Sequence, residues 1–190
     1  MLNKKFLQKL KKDYDNNIGE RRQIISRANI VLHDSKRVIF ALHREDVKKA
    51  EQSLGEIEKV LKDMEKKFGY NRLMQEGAYK AGVEEYVEAK MFFNIINGKK
   101  IDKITGITLS IEAYLGGISD TTGELVRLAT NKATKGEFKE VEKIKGIITD
   151  VMAELVQFDI TGYLRTKYDQ AKGNLRKVEQ VMYDISIRRK

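Results

Sequence analysis

Apolar residues recur at three- and four-residue steps along almost the whole chain, a pattern that a bundle of packed helices can bury. Phe6, Leu7, Leu10 and Tyr14 begin the first stripe; Ile24, Ile25, Ala28, Val31 and Leu32 continue it, and Val38, Ile39 and Leu42 close it near His43. Gly19 is the one breaker in this stretch, so the spacing predicts one long helix or two joined there. Glu45 and Asp46 suit a new helix N-terminus, and Ala50, Leu54, Ile57, Leu61 and Met64 then carry a helix from Val47 to Lys67, ended by Gly69. A third block runs from Leu73 to Asn97. A fourth runs from Ile111 to about Thr134 behind the N-cap candidate Ser110. A fifth spans Phe138 to Phe158, and the last covers Tyr163 to Arg188. Ile104-Thr105-Gly106-Ile107-Thr108 is the only strand candidate. The expected fold is all-α: residues 1–190 as a single domain, a bundle of six or seven antiparallel helices.

Two acidic stretches stand out against this frame, Glu84-Glu85-Tyr86-Val87-Glu88 and Asp120-Thr121-Thr122-Gly123-Glu124. Glu85 and Glu88 share a helical face at i, i+3, and Asp120 and Glu124 do so at i, i+4. Glu85 and Glu88 also lie in register with Phe92, Ile95 and Ile96, which is a core-facing stripe. An unpaired carboxylate is costly to bury there and needs a partner or a metal. Gly116, Gly117 and Gly123 surround Asp120, and glycine in a helix costs up to about 1 kcal/mol relative to alanine; their presence suggests close approach by another backbone or by a substrate. Two readings fit these acids: a metal site, or structural ion pairs with Arg127 or another base.

Ligand type limits the metal. The chain has no cysteine, and neither of its two histidines stands in a Glu-x-x-His arrangement. An all-oxygen set suits magnesium, with manganese or calcium as alternatives. Magnesium held by Glu85, Glu88, Asp120 and Glu124 would suit phosphodiester hydrolysis, because it polarises phosphate and lowers the pKa of a bound water. No phosphate loop follows Gly116-Gly117, and no serine triad is evident.

Lys and Arg number 37 against 28 Asp and Glu, a formal net charge of +9 that favours a polyanionic partner. No stretch reaches the about 18 apolar residues of a membrane span, and the N-terminus has no secretory pattern. The expectation is a cytoplasmic protein with no membrane contact.

Four stretches resemble the translin family, in particular its translin-associated factor X (TRAX) branch. They are Ser35 to Arg44, Glu85-Tyr86-Val87-Glu88-Ala89, Tyr114-Leu115-Gly116-Gly117 with Asp120 to Arg127, and the ending from Lys167-Tyr168-Asp169 to Arg188. The resemblance implies assembly into hollow octamers and binding of single-stranded RNA and single-stranded DNA. In the TRAX branch it implies a magnesium-dependent endoribonuclease whose four acids carry over as Glu85, Glu88, Asp120 and Glu124. The family's longer basic N-terminal region is not matched, so the expectation is an archaeal or bacterial homologue forming homo-oligomers. Candidate phosphate contacts are Lys36, Arg37, His43, Arg44, the turn Lys99-Lys100 with Lys103, and Arg127. Arg37 and His43 equally suit a role as buried partners of acids. Binding directed at the RNA backbone, with little base readout, is expected. The competing readings are a non-catalytic binder of single strands and a purely structural helical assembly.

Overall fold

The computed structural model describes residues 2–188. Seven helices and no strand occur among them: α1 Lys4–His43, α2 Val47–Phe68, α3 Tyr70–Leu73, α4 Gly77–Ile96, α5 Ile111–Thr134, α6 Phe138–Leu155 and α7 Gly162–Arg188. Side-chain caps set three of the starts. Asn3 accepts from the Phe6 N–H, Asp46 from Lys49 and Ser110 from Ala113, each satisfying a donor the first turn leaves free.

α4 lies between α1 and α5, and α5 also packs against α6 and α7. The sandwiched position of α4 depends on glycine. A Cβ on Gly82 would stand 2.8 Å from the Ala28 carbonyl oxygen of α1, and one on Gly117 would stand 2.6 Å from Val87 Cγ1. The predicted core stripe of α4 is therefore only one part of its buried surface. Phe92 and Glu88 are buried as expected, but Tyr86, Val87, Ala89 and Met91 are fully enclosed as well, while Glu85, Ile95 and Ile96 are half-buried. A helix packed on two sides needs more than one apolar face.

Several sequence expectations are settled or corrected. Of the two forms expected for the first segment, the single long helix is the one present: α1 runs unbroken through Gly19 over 40 residues. The apolar stripe from Phe6 to Tyr14 meets no core: Phe6, Leu10 and Tyr14 are exposed, and deep burial in α1 begins at Ile24. The helix of the third block begins later than expected, at Gly77, after the short α3 and a turn. Residues 104–108 form no strand. Tyr114 pins this segment instead, its hydroxyl accepting from the Ile104 N–H and donating to the Ile104 carbonyl, while Glu65 accepts from the Thr108 N–H. No helix among the described residues is long and apolar enough to cross a membrane.

Candidate active site

The glycines at the α4–α5 crossing bring the two acidic stretches together. Gly117 packs against Val87 and the Glu88 backbone, and a Cβ on Gly116 would collide with the Glu84 carboxylate. Thr121 donates to the Gly117 carbonyl at 2.7 Å and lies 3.4 Å from the Glu88 carbonyl, which ties the two helices at the level of the acids. Glu85, Glu88, Asp120 and Glu124 consequently lie close enough to act on one another's protonation.

Glu88 shows this most. Burial, then the charges of Glu85, Asp120 and Glu124, push its carboxyl up to about 9. Glu85 is also raised, first by burial and then by Asp120 and Glu124, against the lowering effect of Lys36 and Lys167. Neither the Glu85 nor the Glu88 carboxylate receives a hydrogen bond or ion pair among the described residues. Asp120 and Glu124 are treated differently. Lys167 of α7 places its Nζ 2.5 Å from Asp120 Oδ2 and 2.9 Å from Glu84 Oε1. Burial still leaves the Asp120 carboxyl above its ordinary value. His43, at the end of α1, donates Nε2–H to Glu124, and Arg127 stands 3.6 Å from the same oxygen. The His43 hydrogen bond holds the Glu124 carboxyl below its ordinary value, with Arg127 assisting.

The cluster opens to solvent through a cleft of about 460 Å³ between the acids and α7. Glu88, Asp120 and Gly123 form one side; Gln170, Gly173, Asn174 and Lys177 form the other. Asn174 fixes this wall by donating to the Thr122 hydroxyl at 3.0 Å.

An oxygen-only donor set fits a hard divalent ion, and Glu85 and Glu88, whose carboxyls take no hydrogen bond or ion pair among the described residues, offer oxygens for one. In the arrangement seen, no group of three carboxylate or imidazole side chains among the described residues is disposed to hold a metal ion. Lys167 draws Asp120 toward α7 and His43 draws Glu124 toward α1.

The basic residues divide. Lys36 is exposed and its charge reaches Glu85. Arg37 is exposed and paired with Asp34. Arg44 is exposed and rests over the Phe40 ring, and Lys99 and Lys100 are exposed at the turn after α4. His43 is different: its side chain is 4% exposed, packed against Phe92 and bonded to Glu124. It is a buried partner of an acid and does not face a phosphate in this structure. Arg127 is exposed and paired with Glu124. Helical spacing offers no reason to single out Lys167 or Tyr163, whose hydroxyl donates to Glu84 at 2.6 Å. Lys167 opens the Lys167-Tyr168-Asp169 stretch, the one signal that could have marked it among 37 basic residues.

The fold and the cluster together define an all-α protein with an acidic site between two glycine-packed helices. Comparison with known proteins gives the family. The Translin family pattern matches residues 19–189, and the chain belongs to that family. Translin of Gallus gallus is 35% identical over 94 residues, a segment that covers 49% of this chain and 41% of the chicken protein. Translin of Homo sapiens is 34% identical over a segment of the same extent. The chain thus matches about two fifths of the length of these curated relatives. Among solved structures, AfC3PO superposes with a TM-score of 0.88 at 24% identity, covering 96% of this chain and 98% of that one. Apo-NeC3PO superposes at 0.85 with 24% identity, covering 96% and 97%. A complex of AfC3PO with duplex RNA superposes at 0.85 with 23% identity and the same coverage as apo-NeC3PO. At these identities the likeness is one of fold.

Proposed function

We propose that this protein is a magnesium-dependent endoribonuclease of the TRAX-like branch, acting on single-stranded RNA inside a cytoplasmic homo-oligomeric cage, an octamer. The observation that carries this reading is Glu88. It is a buried carboxyl beside three other acids, with no ion pair of its own among the described residues, at the wall of an open cleft. A carboxyl so perturbed by burial and neighbouring charge, set in a cleft, is a candidate for a functional role. The net charge of +9 and the exposed Lys36, Arg37, Arg44, Lys99 and Lys100 support attraction of a polyanion. The duplex RNA bound in the AfC3PO complex supports RNA as that polyanion.

Glu85, Glu88, Asp120 and Glu124 would hold magnesium, or manganese in its place, and the bound ion would supply a polarised phosphodiester and a water of lowered pKa. The chain's own residues supply the rest. Lys167 offsets the charge of Asp120 and Glu84, His43 fixes the orientation of Glu124, and Lys177 at the cleft rim offers a charge to a phosphate.

The second reading is a non-catalytic binder of single-stranded RNA and single-stranded DNA. The pairing of Asp120 with Lys167 and of Glu124 with His43 favours it, because two of the four acids already have protein partners. Gel-shift titration and size-exclusion chromatography of Asp120→Ala, alongside a cleavage assay, separate the two. The nuclease reading expects unchanged binding and oligomer size with cleavage abolished. Cleavage that survives the substitution would remove Asp120 from the mechanism, and binding with no turnover by either protein would leave the binder.

A further inference from the structure

A second cavity, separate from the acidic cleft, is lined in part by Glu84, the carboxylate that Lys167 bridges to Asp120. It encloses about 320 Å³ between the start of α4, the segment before α5 and the start of α7. That is within the range of about 300–1,000 Å³ typical of small-ligand sites. Its walls include three tyrosines, Tyr70, Tyr79 and Tyr163, with Val83 and Ala113 between them. Its polar lining includes two carboxylates, Glu84 and Glu112, beside Thr108, Ser110 and Lys80, the one cationic residue in the wall.

One group in this wall is unexplained by the fold. Tyr79 is 1% exposed, and its hydroxyl has no hydrogen-bond partner. A buried phenol without a partner costs about 1–3 kcal/mol, and the Tyr79 hydroxyl carries that cost behind the cavity wall, closed to solvent. The cavity adjoins the ion-pair network of the candidate active site, although it shares no lining residue with the acidic cleft. Tyr163 and Glu84 line it, and the same Glu84 accepts from Tyr163 and is bridged by Lys167 to Asp120. Tyr163 precedes Gln170 of the acidic cleft by seven residues on α7, about 10 Å along the helix.

We propose that this cavity is a nucleobase subsite, adjacent to the acidic cleft, with guanine as the preferred base. The proposal rests on the reading that a single RNA strand occupies the cleft, and it replaces the expectation of little base readout. The planar apolar body of a base suits a tyrosine-lined slot, where stacking contributes without hydrogen-bond readout. Preference comes from the polar lining. Guanine presents the adjacent N1–H and N2–H₂ donors on one edge, which a carboxylate accepts with both oxygens. Glu112 is an exposed carboxylate at the rim and supplies that pair of acceptors. The guanine O6 is an acceptor for the Lys80 ammonium.

The chain has eight tyrosines and no tryptophan, so its intrinsic fluorescence reports on these rings. The test titrates the full-length protein with 5′-GMP, AMP, CMP and UMP in EDTA, which excludes phosphate binding through a metal. The expected result is saturable quenching by GMP that is at least about tenfold tighter than by the other three. Tyr163→Ala and Glu112→Gln alter exposed side chains and leave the core intact. Each is expected to weaken GMP binding by about tenfold. A guanosine-containing trinucleotide should then compete with GMP for the same site. No saturable quenching, equal affinity for all four nucleotides, or binding unchanged in both variants would overturn the proposal. Its failure is separable from that of the nuclease reading. Metal-dependent cleavage without nucleotide binding in EDTA removes the subsite alone, and nucleotide binding without cleavage removes the enzyme alone.

Discussion

Lys167 Nζ sits 2.5 Å from Asp120 Oδ2 and 2.9 Å from Glu84 Oε1, so one ammonium from α7 joins the acids of α4 and α5. Burial alone would lower the Lys167 pKa, but its hydrogen bonds to Asp120, Glu84 and Tyr163 raise it, and the side chain stays charged. Replacing it by Lys167→Met leaves two half-buried carboxylates without a counter-ion. The expected cost is about 1–3 kcal/mol, a fall in Tm of several degrees at about 2–4 °C per kcal/mol. Magnesium should recover more of the variant's Tm than it adds to the wild type, because Asp120 is released for the ion. Calorimetry with and without magnesium checks this, and equal responses in the two proteins would count against the shared site.

Glu88 makes stability depend on pH. Its folded pKa is raised from 4.5 to about 9, so between these values the folded state binds the extra proton. Stability in EDTA therefore falls as pH rises through that window, and the loss is complete above it. Glu88→Gln should flatten the slope. Urea unfolding across the same pH range gives the comparison, and parallel curves for the two proteins would show that Glu88 is not the source.

Salt dependence sorts the basic residues. Substituting Lys36, Arg37, Lys99 or Lys100 by alanine should lower the salt slope of RNA binding by about one for each phosphate no longer neutralised. His43→Gln should leave the slope unchanged, because His43 is buried against Glu124 and Phe92. A lowered slope for His43→Gln would restore it to the RNA surface.

Close packing of α4 on α5 is the structural basis of the site. Gly117→Ala puts a Cβ 2.6 Å from Val87 Cγ1 and 2.9 Å from the Glu88 nitrogen. Overpacking of this kind costs about 1–3 kcal/mol, and Tm should fall accordingly. Gly146→Ala, where a Cβ meets nothing within 4 Å, is the control and should not destabilise. Equal Tm values for the two variants would contradict the tight crossing.

The boundaries of α2 and α5 were legible because their caps and glycines are local: Asp46, Gly69 and Ser110 act within a few residues of their own helices. The pairing of Glu85-Glu88 with Asp120-Glu124 was legible because helical spacing and the Gly116-Gly117 seam mark both sides of one crossing. What the sequence could not reveal depends on distant packing. The Phe6–Tyr14 stripe has the spacing of a core face, yet no other helix reaches it. His43 carries an equally good pattern for phosphate or for burial, and only the approach of α5 to α1 decides. Lys167 and Tyr163 acquire roles because α7 folds back across the acids, bringing together residues 79 and 47 positions apart.

Cleavage of end-labelled single-stranded RNA, in magnesium and in EDTA, by the wild type and Glu88→Gln bears most immediately on the nuclease assignment. A metal site built on Glu88 predicts products only for the wild type in magnesium, with Glu88→Gln still binding RNA. Cleavage that persists in EDTA, or in Glu88→Gln, would contradict the assignment of the acidic cluster as a metal-dependent nuclease site.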